Sequence, residues 1–182
     1  LPPAHTLTFR EGQIEITRYW QLPETRGSVS VSDAVEEFSA LFHRATKRQL
    51  VSDVPVGAFL SGGLDSTSVV ASAVQHVPNL LTFSFGFRGD WSELPYARGT
   101  AALYQTNHSE VREEAEDVAQ LLLRMQEVYD EPFADSSCMP TYALCRAARQ
   151  EAKVFLTGDG GDELLAGYGW WYRGLHDMES ET

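Results

Sequence analysis

Lysine is nearly missing from these 182 residues: only Lys47 and Lys153 occur, and 14 basic side chains stand against 26 acidic ones, a net charge of −12. Such a surface repels a phosphate backbone, which argues against a broad nucleic-acid interface. An anionic ligand has to be held locally instead, by oriented backbone N–H groups, a helix N-terminus or a bound divalent cation. Cysteine is as scarce. Cys138 and Cys145 are the only two, and seven residues along a helix separate them by about 10 Å, too far for a disulfide; a reducing cytoplasm fits. No apolar run reaches the length of a membrane span and no basic-then-apolar leader opens the chain, so neither insertion nor secretion is expected. Leu1 stands where an initiator methionine would, so the expectation is an excised piece of something longer.

What is present can bury one substantial core, since 43% of the residues are hydrophobic. Leu7, Phe9, Ile14 and Ile16 alternate with polar residues around Arg10-Glu11-Gly12-Gln13, the pattern of a β-hairpin with Gly12 in its turn. A polar linker over 23–30 follows. Ser32 is then expected to cap a helix whose inner face is Val35, Phe38, Leu41, Phe42 and Ala45. From Val56 onward short apolar runs alternate with helical patterns, which predicts βαβ units and an α/β fold, a parallel sheet flanked by helices. Strands are expected at 56–60, 80–87, 108–111 and 154–157, and helices at 67–75, 94–104, 115–129 and 139–150. The third of these helices carries Val118, Leu121, Leu122, Met125 and Val128 on one side, suited to packing on the sheet. The acidic ending 177–182 is expected to fray.

Two motifs carry chemistry. Ser61-Gly62-Gly63-Leu64-Asp65-Ser66 follows one strand and opens a helix, where a parallel sheet presents ligands. Gly62 and Gly63 clear side chains so that N–H groups can approach phosphate oxygens, while Ser61 and Ser66 add hydroxyls. Asp65 cannot donate to phosphate, but its carboxylate suits a Mg²⁺ that bridges phosphates. No lysine follows the glycines, as it would in a Walker A loop. A loop that holds pyrophosphate as a leaving group fits attack at the α-phosphorus, giving an AMP ester. The second motif, Thr157-Gly158-Asp159-Gly160-Gly161-Asp162-Glu163, also follows an apolar strand. Clustered carboxylates repel unless a cation or proton relieves them, and glycines suit close passage of a ligand.

Ser-Gly-Gly-Leu-Asp-Ser, together with Gly-Asp-Gly-Gly-Asp-Glu-Leu-Leu-Ala-Gly-Tyr from Gly158, closely resembles the synthetase domain of glutamine-dependent asparagine synthetases, a branch of the PP-loop ATP-pyrophosphatases. Val54-Pro55-Val56-Gly57, Phe83-Ser84-Phe85-Gly86, Asp130-Glu131-Pro132, Asp135-Ser136-Ser137 and Pro140 extend the likeness over residues 31–174. The resemblance implies an adenine-nucleotide alpha-hydrolase-like fold, C-terminally truncated. It divides the chain into 1–30, a hairpin and connector from an absent N-terminal glutaminase domain, and 31–182, an incomplete ATP-pyrophosphatase domain.

Its implied chemistry uses ATP and Mg²⁺ to convert aspartate to β-aspartyl-AMP with release of pyrophosphate; ammonia derived from glutamine then attacks to give asparagine. Ser61, Gly62, Gly63, Asp65 and Ser66 would hold pyrophosphate and metal, and Leu60, Phe85, Thr157 and Gly158 would line the adenosine site. Asp159 would support adenylate formation and take a proton from ammonia; Asp162, with Glu163 beside it, would place metal or pyrophosphate.

Asp159 replaces the glutamate of the best-known members, and Asp135 lies where those carry threonine and arginine suited to aspartate. A different small carboxylate is therefore the alternative substrate. A PP-loop enzyme adenylating a nucleobase, disfavoured by the second motif and the charge, and a catalytically inactive binding module retaining the fold are further alternatives. The family's late lysine and its glutaminase cysteine have no counterpart here, so the 182 residues alone are expected not to complete amide synthesis. Neither nucleic acid nor membrane is an expected partner, and a homo-oligomer is left open. Trp170, Trp171 and Tyr172 read as core packing or an interface, Cys138 and Cys145 as small buried helix residues, and His43, His76 and His108 as satisfied or solvated rather than metal ligands.

Overall fold

A computed structural model describes residues 1–23, 27–87, 92–113, 115–131, 134–170 and 173–174. The contacts fall into two units, Leu1–Phe38 and Ser39–Thr182.

In the first unit, strands β1 (His5–Arg10) and β2 (Gln13–Arg18) pair antiparallel, setting Leu7 opposite Ile16 and Phe9 opposite Ile14. Two residues join them, both with positive φ, Glu11 at 52° and Gly12 at 79°. That is the left-handed two-residue turn whose twist matches a hairpin. All four apolar side chains are exposed.

Helix α1 (Val31–Gln49) crosses from one unit into the other. Its cap is Ser30 and not Ser32: the Asp33 N–H donates to Ser30 Oγ at 3.1 Å. The expected inner face is also displaced. Val35, Phe38 and Leu41 are 62%, 47% and 45% exposed and Ala45 is exposed, whereas Thr46 is buried and Phe42, His43 and Leu50 are half-buried. The buried stripe is thus Phe42/His43, Thr46 and Leu50, spaced by three or four residues as one helix face requires. A hydrogen bond between His43 Nδ1 and the buried Ser72 Oγ, 2.8 Å, anchors it.

The second unit continues with β3 (Val56–Phe59), α2 (Leu64–Ala73), β4 (Leu81–Phe87), α3 (Leu94–Tyr104), β5 (Asn107–Glu113), α4 (Ala115–Tyr129), α5 (Cys138–Ala148), β6 (Val154–Leu156) and α6 (Gly161–Leu165). The four strands form a wholly parallel sheet in the order β5-β4-β3-β6. This is the α/β architecture expected. Helix α2 starts three residues earlier than expected, because extended Gly63 (φ −69°, ψ 165°) is its N-cap and the glycine loop runs straight into the helix.

Thr82, Phe83 and Ser84 are consecutive and all buried, so both faces of β4 are covered. On one face Ala58, Leu60, Val70, Ala73, Leu80, Ala97 and Ala101 form a core between the sheet and α2 and α3. On the other, Phe155 stacks on Phe59 with centroids 4.8 Å apart and meets Phe83 edge-on at 5.6 Å. Helix α4 departs from expectation: Leu121 and Met125 are buried, but Leu122 and Val128 are exposed, and the helix packs chiefly on α5. A two-residue stripe at i, i+4 suffices to seat on another helix. The side chain of Val118 and residues 177–182 lie outside the description. Among the described residues no helix is long and apolar enough to cross a membrane.

Candidate active site

The strand order changes direction at β3. The chain moves from β3 to β4 to β5 on one side, then returns to place β6 on the other. In an open parallel sheet such a switch leaves a crevice beyond the carboxyl ends of the two strands that flank it. Those strands are β3 and β6, paired from Val56↔Val154 to Ala58↔Leu156. Residues 60–66 leave the first and residues 157–163 leave the second, so the sheet itself brings the two motifs side by side.

The first loop is folded on its own hydroxyls. Ser61 Oγ and Ser66 Oγ lie 3.0 Å apart, the Gly63 N–H donates to Ser61 Oγ at 3.2 Å, and Ser66 Oγ donates to the Gly63 carbonyl at 3.2 Å. Ser66 is buried while Ser61, Gly63 and Leu64 are exposed, so the loop is pinned from beneath and open above. Gly62 takes φ +89°, and a Cβ there would lie 2.6 Å from Ala97 N and 2.7 Å from Tyr96 Cβ. The first turn of α3 therefore buttresses the loop, a contact the sequence reading missed; Pro95 at the start of that helix was the available sign. No side chain caps α2, which leaves the amides of its first turn to a ligand or water.

The second loop closes against the first. A Cβ at Gly158 would meet Ser66 N at 2.9 Å and Asp65 Cβ at 3.1 Å. One at Gly161 would fall 2.5 Å from Asp65 Cγ and 2.7 and 2.8 Å from its two carboxylate oxygens. Asp65 is thus walled by two glycines of the other motif. Asp159 and Thr157 are exposed at the same strand end, the Asp159 N–H donating to Thr157 Oγ1 at 3.4 Å, and Asp162 is half-buried. Tyr168 Oη donates to Glu163 Oε1 at 2.8 Å, which holds the Glu163 carboxyl below its ordinary range and pushes the Tyr168 phenol up to about 12. Asp162 and Asp159 add to the rise of Tyr168 through their charge.

Phe85 lies half-buried on β4, the strand next to β3. Leu60 differs from the other expected lining residues: its side chain is 1% exposed and belongs to the core, its N–H donates to the Phe83 carbonyl at 2.8 Å, and its carbonyl accepts from Ser84 Oγ. Asp135 is engaged locally. Its Oδ1 accepts the Ser137 N–H at 2.8 Å just before α5, which holds its carboxyl below the ordinary range.

A magnesium ion takes one or two carboxylates and fills its remaining positions with phosphate oxygens and water. Asp65 and Asp162 fit that donor set, oxygen only and few. Among the described residues no three His, Cys, Asp or Glu side chains group to hold a metal by themselves. His43 and His108 are hydrogen-bonded, the latter to Thr82 Oγ1 at 3.0 Å, and burial lowers the His108 pKa. Cys138 is buried as expected, but Cys145 is exposed on the outer face of α5; both are free thiols. Trp170 is 68% exposed, so it is not core, and Trp171 and Tyr172 lie outside the described residues.

The family model for asparagine synthase matches residues 37–181. The chain is 41% identical over 172 residues to a putative glutamine-hydrolyzing asparagine synthetase 2 of Methanocaldococcus jannaschii, which covers 92% of this chain and 33% of that protein. It is 37% identical over 158 residues to a putative asparagine synthetase of Mycobacterium tuberculosis, covering 84% and 24%. Asparagine synthetase 1 of Bacillus subtilis is 32% identical over 168 residues, covering 91% and 27%. The chain spans a quarter to a third of the length of these curated relatives. Among solved structures, an NH3-dependent NAD synthetase of Campylobacter jejuni aligns with a TM-score of 0.47 at 14% identity, over 78% of this chain and 62% of that one. With the family model spanning both strand-end loops and the sheet between them, this chain belongs to the asparagine synthase family.

Proposed function

We propose that the full-length protein uses ATP and Mg²⁺ to adenylate a carboxylate, aspartate first among the candidates, and passes the acyl group to ammonia released from glutamine. The carrying observation is the meeting of the two loops at the β3–β6 crevice, with Gly158 and Gly161 packed against Asp65.

In this reading the carboxylate oxygen attacks the α-phosphorus and pyrophosphate leaves. The amides at the start of α2, with the Ser61 and Ser66 hydroxyls, hold the departing pyrophosphate, and their orientation is set before ATP arrives. Asp65 and Asp162 hold the metal, whose charge neutralises the phosphates. Thr157, Gly158 and Phe85 flank the adenosine, and Leu60 shapes the floor beneath it through its backbone. Ammonia then attacks the acyl carbon, the C–O bond to AMP breaks, and exposed Asp159 accepts the proton that the new amide nitrogen sheds. Water must be kept from the acyl-adenylate meanwhile, or it hydrolyses.

Product analysis separates this from phosphoryl transfer. With ATP, Mg²⁺, aspartate and glutamine, the full-length protein is expected to form AMP, pyrophosphate and asparagine in equal amounts. ADP and inorganic phosphate as the products would place the attack at the γ-phosphorus and refute the assignment; no turnover by folded protein with any carboxylate would favour a binding module.

A further inference from the structure

Beyond the two loops, the chain returns to the acids of the second motif. Helix α6 ends with Ala166 in the left-handed region (φ 59°, ψ 39°), and the Gly167 N–H donates to the Asp162 carbonyl at 3.0 Å. This reversal lays Gly167 over the residue it caps. A Cβ added to Gly167 would lie 2.7 Å from Asp162 Cγ and 3.0 Å from Asp162 Cα, and would overlap Asp162 Oδ1; the three nearest atoms all belong to Asp162. Gly167 is not among the glycines with positive φ, so its backbone conformation does not demand glycine. The demand comes from the Asp162 side chain alone. The next residue acts on the neighbouring acid, through the 2.8 Å bond from Tyr168 Oη to Glu163.

We infer that Gly167 is a positioning residue: its missing side chain makes the space in which the Asp162 carboxylate is held, so the turn after α6 sets where that carboxylate points. A carboxylate is the movable partner in this contact, whereas the backbone around it is fixed by the α6 cap. A methyl at position 167 therefore swings Asp162 aside and leaves the fold in place. The inference rests on the proposed role of Asp162 at the metal and pyrophosphate, but the contact itself can be tested without turnover.

The test is a double-mutant cycle of Gly167→Ala and Asp162→Ala in the full-length protein, read by thermal unfolding and by aspartate-dependent exchange of pyrophosphate into ATP. Gly167→Ala alone is expected to lower the unfolding midpoint by roughly 2–4 °C, a span that about 1 kcal/mol produces in a domain of this size. In the Asp162→Ala background that loss is expected to vanish, because the overlapping atoms are gone. Exchange by Gly167→Ala is expected to fall about 100-fold, as for a misplacement of about 1 Å, and to fall no further when Asp162→Ala is added.

Equal midpoint losses in both backgrounds, or wild-type exchange by Gly167→Ala, would overturn the inference. Should Gly167→Ala fail to fold, recovery of folded protein in the double variant supports the contact and continued failure rejects it. Wild-type protein lacking exchange, beside a non-additive unfolding cycle, would instead contradict the adenylation reading and leave the contact standing.

Discussion

Asp65 owes its setting to residues almost a hundred positions away: Gly158 and Gly161 leave the space its side chain occupies. Gly158→Ala would drive a methyl toward Ser66 N and the Asp65 side chain, both fixed at the start of α2. We expect carboxylate-dependent exchange to fall about 100-fold in that variant while circular dichroism remains that of the folded protein, since a displacement of about 1 Å suffices for such a loss. Gly62→Ala is a different kind of lesion. It imposes a Cβ at φ +89° and against the backbone of Ala97, so it is expected to cost at least about 1–3 kcal/mol of stability in urea unfolding. The sequence marked these glycines as loop residues because glycine runs after strands are legible locally. Which glycine faces which acid was not legible, since it depends on β6 pairing beside β3 rather than at the sheet edge. Leu60 shows the same limit: its position before the loop is evident, but its commitment to the core follows from the register of β3 against β4.

Strands and helices between residues 56 and 156 were readable because period-2 and period-3.6 patterns alternate cleanly there. Helices α3 and α4 have the expected bounds. Burial was less readable, since an apolar stripe states a preference and only a packed neighbour satisfies it. Two substitutions separate the cases. Leu80→Ala removes a side chain with no exposed surface from the main core and is expected to cost 2–5 kcal/mol, as cavity-forming changes do. Val35→Ser, at a position read from sequence as inward-facing but 62% exposed, is expected to change stability by no more than about 0.5 kcal/mol in the same denaturant experiment on this chain.

The junction of α3 and β5 carries its own pH signature. Arg98, and then Arg112 at 2.7 Å, hold the Glu110 carboxyl at about 2 against an ordinary 4.5. A carboxyl whose folded pKa is depressed contributes stability that is complete above about 4.5 and is lost as pH falls toward 2. Thermal midpoints of wild type and Glu110→Gln should therefore differ most near neutrality and converge in acid, and the gap should be small because both arginines are half exposed. A gap that widens in acid would mean the pairing is misassigned.

For the molecule as a whole, a net charge of −12 and a site for a polyanion coexist because the binding is made by backbone amides, hydroxyls and a cation-ready carboxylate pair, not by a basic face. The sheet order β5-β4-β3-β6 turns two short sequence motifs into one crevice, which is the step from fold to function. That convergence was expected from the motifs' shared position after strands; the buttress from α3, the Tyr168–Glu163 bond and the space above Asp162 were not, because each joins residues through a turn or a helix end that local patterns leave undetermined.

The central claim is attack at the α-phosphorus by a carboxylate, and it is tested most directly by exchange of labelled pyrophosphate into ATP catalysed by the full-length protein across a panel of acids. Exchange that requires one carboxylate, aspartate being the first expected, and that disappears in Asp65→Ala is the predicted result. Folded protein that binds ATP yet supports no exchange with any acid would contradict it.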